Sequence, residues 1–226
     1  MRLILNADDF GMDADTTRAT IACFERRALT SATIMPNMPA TAEAVAYARS
    51  RPDLSFGVHL TYVTDTVEAP LCRPASIPTL AEPTGRFKNS QRLRLLALTR
   101  RVRVADIAAE TRAQIQRLLD LGVNISHVDS HGHLHKFAPF VSALASVLPS
   151  FNITRVRRAQ NVYVTNPVKS PNYWFGPAWG RAIAARFRTT DLMFLPGSGS
   201  DHDGWEDPIL ARLGKPADTA ATTIEV

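Results

Sequence analysis

Short β-strand runs alternating with helical segments predict an α/β fold, with a mostly parallel sheet assembled from βαβ units. Two further observations say where its chemistry gathers. Five of the six histidines fall in two short segments, and each segment rich in Asp or His stands where an apolar run ends. In parallel sheets, whether open or closed into a barrel, function collects beyond the carboxyl ends of the strands.

The elements follow in order. Arg2 to Ala7 reads as the first strand, and a helix from about Asp13 to Arg27 follows. Asp13 is placed to cap its free N–H groups and Asp15 to complement its dipole. Ser31 to Met35 is a second strand, the alanine-rich Thr41 to Ser50 a helix, and Leu54 to Leu60 a third strand. From Thr61 to Lys88, Pro70, Pro74, Pro78 and Pro83 interrupt any period, so this is a long loop. Loops of this length in compact domains tend to be functional, and this one begins directly after His59. Val104, Ile107, Ala108, Ile115, Leu118 and Leu119 recur at helical spacing until Gly122. Ile125 to Ser130 is a strand, Ala138 to Val147 a helix and Ile153 to Val156 a short strand. Asn161 to Pro171 and Pro196 to Gly204 read as loops. No repeat or linker divides the chain, so residues 1–226 are expected to form one domain.

With 226 residues, 45% of them hydrophobic and 21% charged, the chain can bury a substantial core. Its formal charge of +5 raises the possibility of a polyanion partner. The basic residues are dispersed, however, and the main group, Arg92 to Arg103, is expected on the solvated face of a helix; nucleic acid is therefore not the expected partner. Cys23 and Cys72 form no close pair and read as reduced thiols. The N-terminal apolar run is too short for a signal peptide, and no run approaches the ~18 residues of a membrane span. A cytoplasmic protein without membrane insertion is the expectation.

Three segments carry the chemistry: Asn6-Ala7-Asp8-Asp9-Phe10-Gly11, Gly57-Val58-His59-Leu60, and His127 to His135. Alternate side chains share a face of a strand, so His127, Asp129 and His131 are expected to face one way. Polar groups there are costly unless they bind a ligand or each other. A buried His–Asp pair satisfying itself is the bland reading, a divalent-metal site the sharper one. The adjacent carboxylates of Asp8 and Asp9 repel unless a cation lies near, and successive side chains diverge, so the two can take different tasks. Asp9, His59 and His131 would hold the ion, and Asp8 would act as general base toward the attacking water. His133 and His135 follow the strand end, where a solvated or supporting role is as reasonable as ligation. His202, in a polar turn, is expected in solvent. Tyr173, Trp174, Phe175 and Trp179 offer a surface for a sugar ring or part of the core.

Together these segments resemble the YdjC-like family of carbohydrate deacetylases. The resemblance rests on Asn6 to Gly11, Gly57 to Leu60 and His127 to His135, with support from Ile77 to Leu80, Gly85 to Phe87 and Arg155 to Arg158. It implies a distorted (β/α) barrel, TIM-barrel-like and often a homodimer. It also implies one divalent metal on Asp9, His59 and His131, with Asp8 as base, and an N-acetylated carbohydrate as substrate, with His133, His135 and Arg158 against it. Family sites are described with magnesium; an Asp-His-His set suits zinc or another first-row ion equally well. The family carries a His-Pro pair after a late strand, a source of the acid for the leaving amine. Thr222 to Val226 resembles that strand and ends before the pair, so either the sequence is cut short there or the acid comes from elsewhere, His133 or His135. A phosphoesterase of the same barrel type would open with a His-x-His pair on the first strand, which Leu5 to Asp8 lacks. A non-catalytic metal- or sugar-binding protein is the reading from outside enzymology.

Overall fold

The computed structural model describes residues 2–163, 171–195 and 223–226. Its strands are β1 (Arg2–Ile4), β2 (Asn6–Phe10), β3 (Ser31–Ile34), β4 (Ser55–Leu60), β5 (Ile125–Ser130), β6 (Leu192–Met193) and β7 (Thr223–Glu225). The helices are α1 (Ala14–Glu25), α2 (Thr41–Ser50), α3 (Ser90–Leu98), α4 (Val104–Asp120), α5 (Ala138–Val147) and α6 (Pro171–Ala184). All strand pairs are parallel, in the orders β2-β3-β4-β5 and β1-β7-β6. β1 and β2 are one extended stretch interrupted at Leu5, and Val226 joins them: its N–H donates to Ile4 and its carbonyl accepts from Asn6, both at 2.9 Å. Single parallel bridges Val128↔Val156, Arg155↔Arg188 and Val162↔Phe194 carry the pairing from β5 toward β6. The hydrogen-bonded path thus runs from strand to strand back toward β1, a barrel-like arrangement with irregular joints.

Local chemistry accounts for the elements. Asp13 caps α1, accepting from the Thr16 N–H at 2.7 Å, as its position in the sequence predicts. The core beneath β2, α1, α2 and β4 is aromatic: Phe10, Phe24, Tyr47 and Phe56 have ring centroids 5.5–6.3 Å apart. Each ring buried this way contributes about 2–3 kcal/mol of transfer free energy. On α4, Ile107, Ile115 and Leu118 are fully buried, as the periodicity requires.

Three sequence expectations are revised. The basic stretch is not one helix: α3 stops at Leu98, Arg100 takes a left-handed φ of 56°, and Arg103 lies just before α4. Residues 153–156 pair only through single bridges. α6 was hidden because Pro171, Gly176, Pro177 and Gly180 weaken a helical pattern. His202 and the segment 196–204 lie outside the described residues. Among the described residues no helix is long and apolar enough to cross a membrane.

Candidate metal and catalytic site

The first carboxylates come from the end of β2. Its pairing with β3 shifts register between Ala7 and Phe10, and Asp9 sits in the left-handed region at φ 58°. A non-glycine residue there is strained, and such strain concentrates at functional sites. The irregularity sends the two neighbouring carboxylates apart. Asp9 Oδ1 meets His59 Nε2 at 3.1 Å and His131 Nδ1 at 2.8 Å. Asp8 turns instead to Arg157, which grips it at both oxygens, at 2.6 and 2.7 Å.

β4 and β5 are in register at His59 and Asp129. The fully buried Asp129 meets His59 Nδ1 at 2.7 Å and accepts from the Thr33 hydroxyl at 3.0 Å. With Nδ1 held by a carboxylate, Nε2 of His59 is presented toward Asp9, the orientation in which an imidazole ligates a cation. Burial opposes charge on His59. The carboxylates of Asp129, Asp9 and Asp8 outweigh it and hold the imidazole up to about 10.

Arg157, itself buried, is the hub beneath. Besides Asp8 it reaches Asp129 Oδ2 at 2.8 Å and Glu225 Oε1 at 2.6 Å. Burial would raise the Asp8 carboxyl, but Arg157 and His59 hold it far below the usual range, so it is ionised. Asp9, raised by burial and lowered more by its two histidines, is ionised as well.

His131 ends the strand, and Gly132 (φ 62°) and His133 (φ 55°) then turn the chain sharply out. Asp65, on the long loop after His59, comes within 3.5 Å of His131 Nε2. That loop is fastened from below by one face of α4. Glu110 accepts the Leu71 and Cys72 N–H groups at 2.9 Å each, and Asp106 accepts that of Thr79 at 2.9 Å. Gln114 exchanges two hydrogen bonds with the Thr61 backbone.

The donor set fits a cation. Asp9, His59 and His131 each offer a ligand atom within 4.8 Å of the others, and so do Asp8, His59 and Asp129. Three carboxylates (Asp8, Asp129 and Glu225) converge on the Arg157 guanidinium and a fourth, Asp9, on His59 and His131; without a metal, the carboxylates around His59 favour its protonated form. Two imidazoles and one carboxylate on one side, with the other side open toward Asp65, match a divalent first-row ion. In the second set the Asp8 and Asp129 oxygens are already taken by Arg157, which leaves Asp9, His59 and His131 as the better site.

Asp8, Asp9, His59 and His131 are therefore adjacent. His133 and His135 lie past the turn, facing a smaller cavity that Arg158 also lines. His127 does not share the site. Its ring lies against Gly57, where an added Cβ would come within 2.8 Å of it, and its Nδ1 is paired with Ser126 at 2.8 Å. Three members of the site carried no assigned role in the sequence: Asp129, Arg157 and Glu225. Asp129 was visible as a polar residue in a buried strand. Arg157 stood in a run of three arginines in four residues, with nothing local to single it out from Arg158.

The profile of the family described as YdjC-like protein matches residues 2–219. A carbohydrate deacetylase of Halalkalibacterium halodurans is 34% identical over 153 residues, 68% of this chain and 62% of that protein. One of Thermoanaerobacter pseudethanolicus is 33% identical over 151 residues, 67% of this chain and 58% of that protein. One of Listeria monocytogenes is 30% identical over 172 residues, 76% and 66% respectively. The matches to the first two span about three fifths of the relatives' length. A crystal structure of an Enterococcus faecalis protein described as a cellobiose-phosphate cleavage protein superposes with a TM-score of 0.76 at 24% identity. The superposition covers 99% of this chain and 78% of that one, and so supports the barrel-like fold.

Proposed function

We propose, for a chain that belongs to the YdjC-like protein family, that it is a metal-dependent hydrolase removing the acetyl group from an N-acetylated amino-sugar or oligosaccharide. The observation that carries the reading is the meeting of Asp9, His59 and His131 beside a separate, arginine-held carboxylate, Asp8. The deacetylase names of the relatives supply the substrate class.

A divalent ion on Asp9, His59 and His131 would supply Lewis acidity, making a water more acidic and polarising the acetamide carbonyl. The chain's own residues do the rest. Arg157 fixes the Asp8 carboxylate by two hydrogen bonds, so the base is oriented before substrate arrives. Asp8 accepts one proton from the attacking water as the C–O bond forms. Breaking the C–N bond then requires a proton on the nitrogen. Burial pushes His133 down to about 4 and His135 well below its usual range, so neither holds a proton to give near neutrality. Asp8, strongly acidic once protonated, returns the proton it took, and the products are acetate and the free amine.

The test is acetate release from N,N'-diacetylchitobiose, with and without chelator. Release should stop on chelation and return with a first-row ion. Asp8→Asn should lower kcat by about 10²–10⁴ while bound metal stays near one equivalent, and Asp9→Asn should lose both. Release that persists in chelator would overturn the mechanism.

A further inference from the structure

Beyond the turn at Gly132 lies a cavity of about 20 Å³ whose lining includes His133, His135, Lys136, Arg158, Gln160 and Trp179. A cavity of that size holds about one water-sized group. It differs from the neighbouring candidate metal site in charge, since among the described residues none that lines it is acidic.

Two of its lining residues, His135 and Arg158, each carry a buried donor without a hydrogen-bond partner. His135 is 1% exposed, and its Nε2 bonds to no other group. The other side of the ring is accounted for: the Ser130 hydroxyl accepts the His135 backbone N–H at 2.9 Å and lies 2.8 Å from Nδ1. The fully buried Ser130 has one proton, and among its hydrogen-bond partners only Nδ1 can accept it. Nδ1 is then the acceptor of a neutral imidazole, and Nε2 carries the ring hydrogen. Burial, with His133, Arg157 and Lys136 adding to it, keeps this imidazole neutral. The second orphan is Nε of Arg158, a donor in any state. An unsatisfied buried donor costs about 1–3 kcal/mol, more when charged, so two on residues lining one small space call for an acceptor. The site is built rather than incidental. Gly180 of α6 packs in ordinary van der Waals range of the Arg158 guanidinium, and the Lys136 ammonium sits 4.9 Å from the Trp179 ring centre.

We propose that this cavity receives an oxygen of a carboxylate, gripped by His135 Nε2–H and Arg158 Nε–H. Its assignment to the reaction rests on the deacetylase reading, in which the carboxylate is either the released acetate or an acid group on the sugar; its binding does not rest on it.

The test uses acetate as probe on the full chain, kept in chelator so that a metal cannot hold the anion. In protein with ¹⁵N-labelled histidine, acetate should shift the Nε2 signal of His135. Arg158→Leu should weaken that binding about tenfold to a hundredfold, and Arg158→Lys should weaken it less. No shift at His135, or an equal affinity in Arg158→Leu confirmed folded by its melting curve, overturns the proposal. Metal-loaded protein then separates the two sources. If the guest is product, Arg158→Leu raises the inhibition constant of acetate by a larger factor than it raises KM, and alters KM for N-acetylmuramic acid and N-acetylglucosamine alike. If the guest is part of the substrate, the variant raises KM for N-acetylmuramic acid but not for N-acetylglucosamine. A catalytically silent protein that still binds acetate at His135 would sink the deacetylase reading and leave the site standing.

Discussion

His127 shares a strand with Asp129 and takes no part in the metal site, and the contrast shows what a single residue's surroundings decide. Packed against Gly57 and Ser126 and half-buried, its imidazole is pushed by partial loss of water down to about 4, from an ordinary 6.5. Between those values the unfolded chain binds a proton that the folded protein refuses. The stability this confers is complete above 6.5 and is lost as pH falls through 4. His127→Gln should therefore make the melting temperature fall less steeply on acidification than it does in the parent chain. Parallel curves would show that the imidazole is not the titrating group. His59 runs the other way. Held up to about 10, it stabilises the metal-free fold at low pH and loses that effect as pH rises through 10. Both are histidines in strands, and residue type alone does not tell them apart. What separates them is Asp129, 70 residues from His59, and the register that sets the two side by side. The candidate metal ligands were legible because their types cluster at strand ends. Arg157 and Glu225 were not, because their role is a long-range pairing that leaves no local pattern.

At the scale of elements, strands and amphipathic helices were legible wherever apolar spacing was regular, as in β4, β5 and α4. The apolar pattern is silent on one further face of α4. Asp106, Glu110 and Gln114, spaced by four, look like a solvated stripe, yet all three are buried because the loop following His59 lies over them and supplies N–H donors. The β4–β5 pair depends on a void that only glycine leaves. A Cβ at Gly57 would stand 2.8 Å from the His127 ring and 2.8 Å from its carbonyl oxygen, and the carbonyl cannot swing aside. Gly57→Ala should thus cost about 1–3 kcal/mol by overpacking. Because the same two strands present His59 and Asp129, the displacement should also weaken metal binding, by about 10–100-fold if the His59–Asp129 contact is lost. Thermal unfolding and a metal titration on one sample check both. Unchanged stability with unchanged metal affinity would mean that the strands separate there without consequence.

Across the whole molecule, Arg157 is where distant parts of the chain are tied together. Its guanidinium binds Asp8 at the end of β2, Asp129 in β5 and Glu225 in β7, so a single side chain joins both sheets inside the barrel-like fold. Such a hub is not a large net source of stability in itself, since bringing these charges out of water offsets most of their attraction. Its removal is another matter, because three carboxylates would be left facing one another with only the His59 imidazolium to offset them. Arg157→Met should therefore destabilise the fold by about 3–5 kcal/mol, measured as a lower midpoint in denaturant. The sign of its pH dependence discriminates between lost packing and lost charge. In the parent chain Arg157 lowers the carboxyls of both Asp8 and Asp129, that of Asp8 far below the usual range. In the variant they would take up protons at higher pH, and protonation would relieve the repulsion. The gap in stability between the two proteins should narrow on acidification. A gap that stays constant with pH would assign the loss to the missing aliphatic stem of the side chain, and the carboxylates would then be held apart by the strands alone.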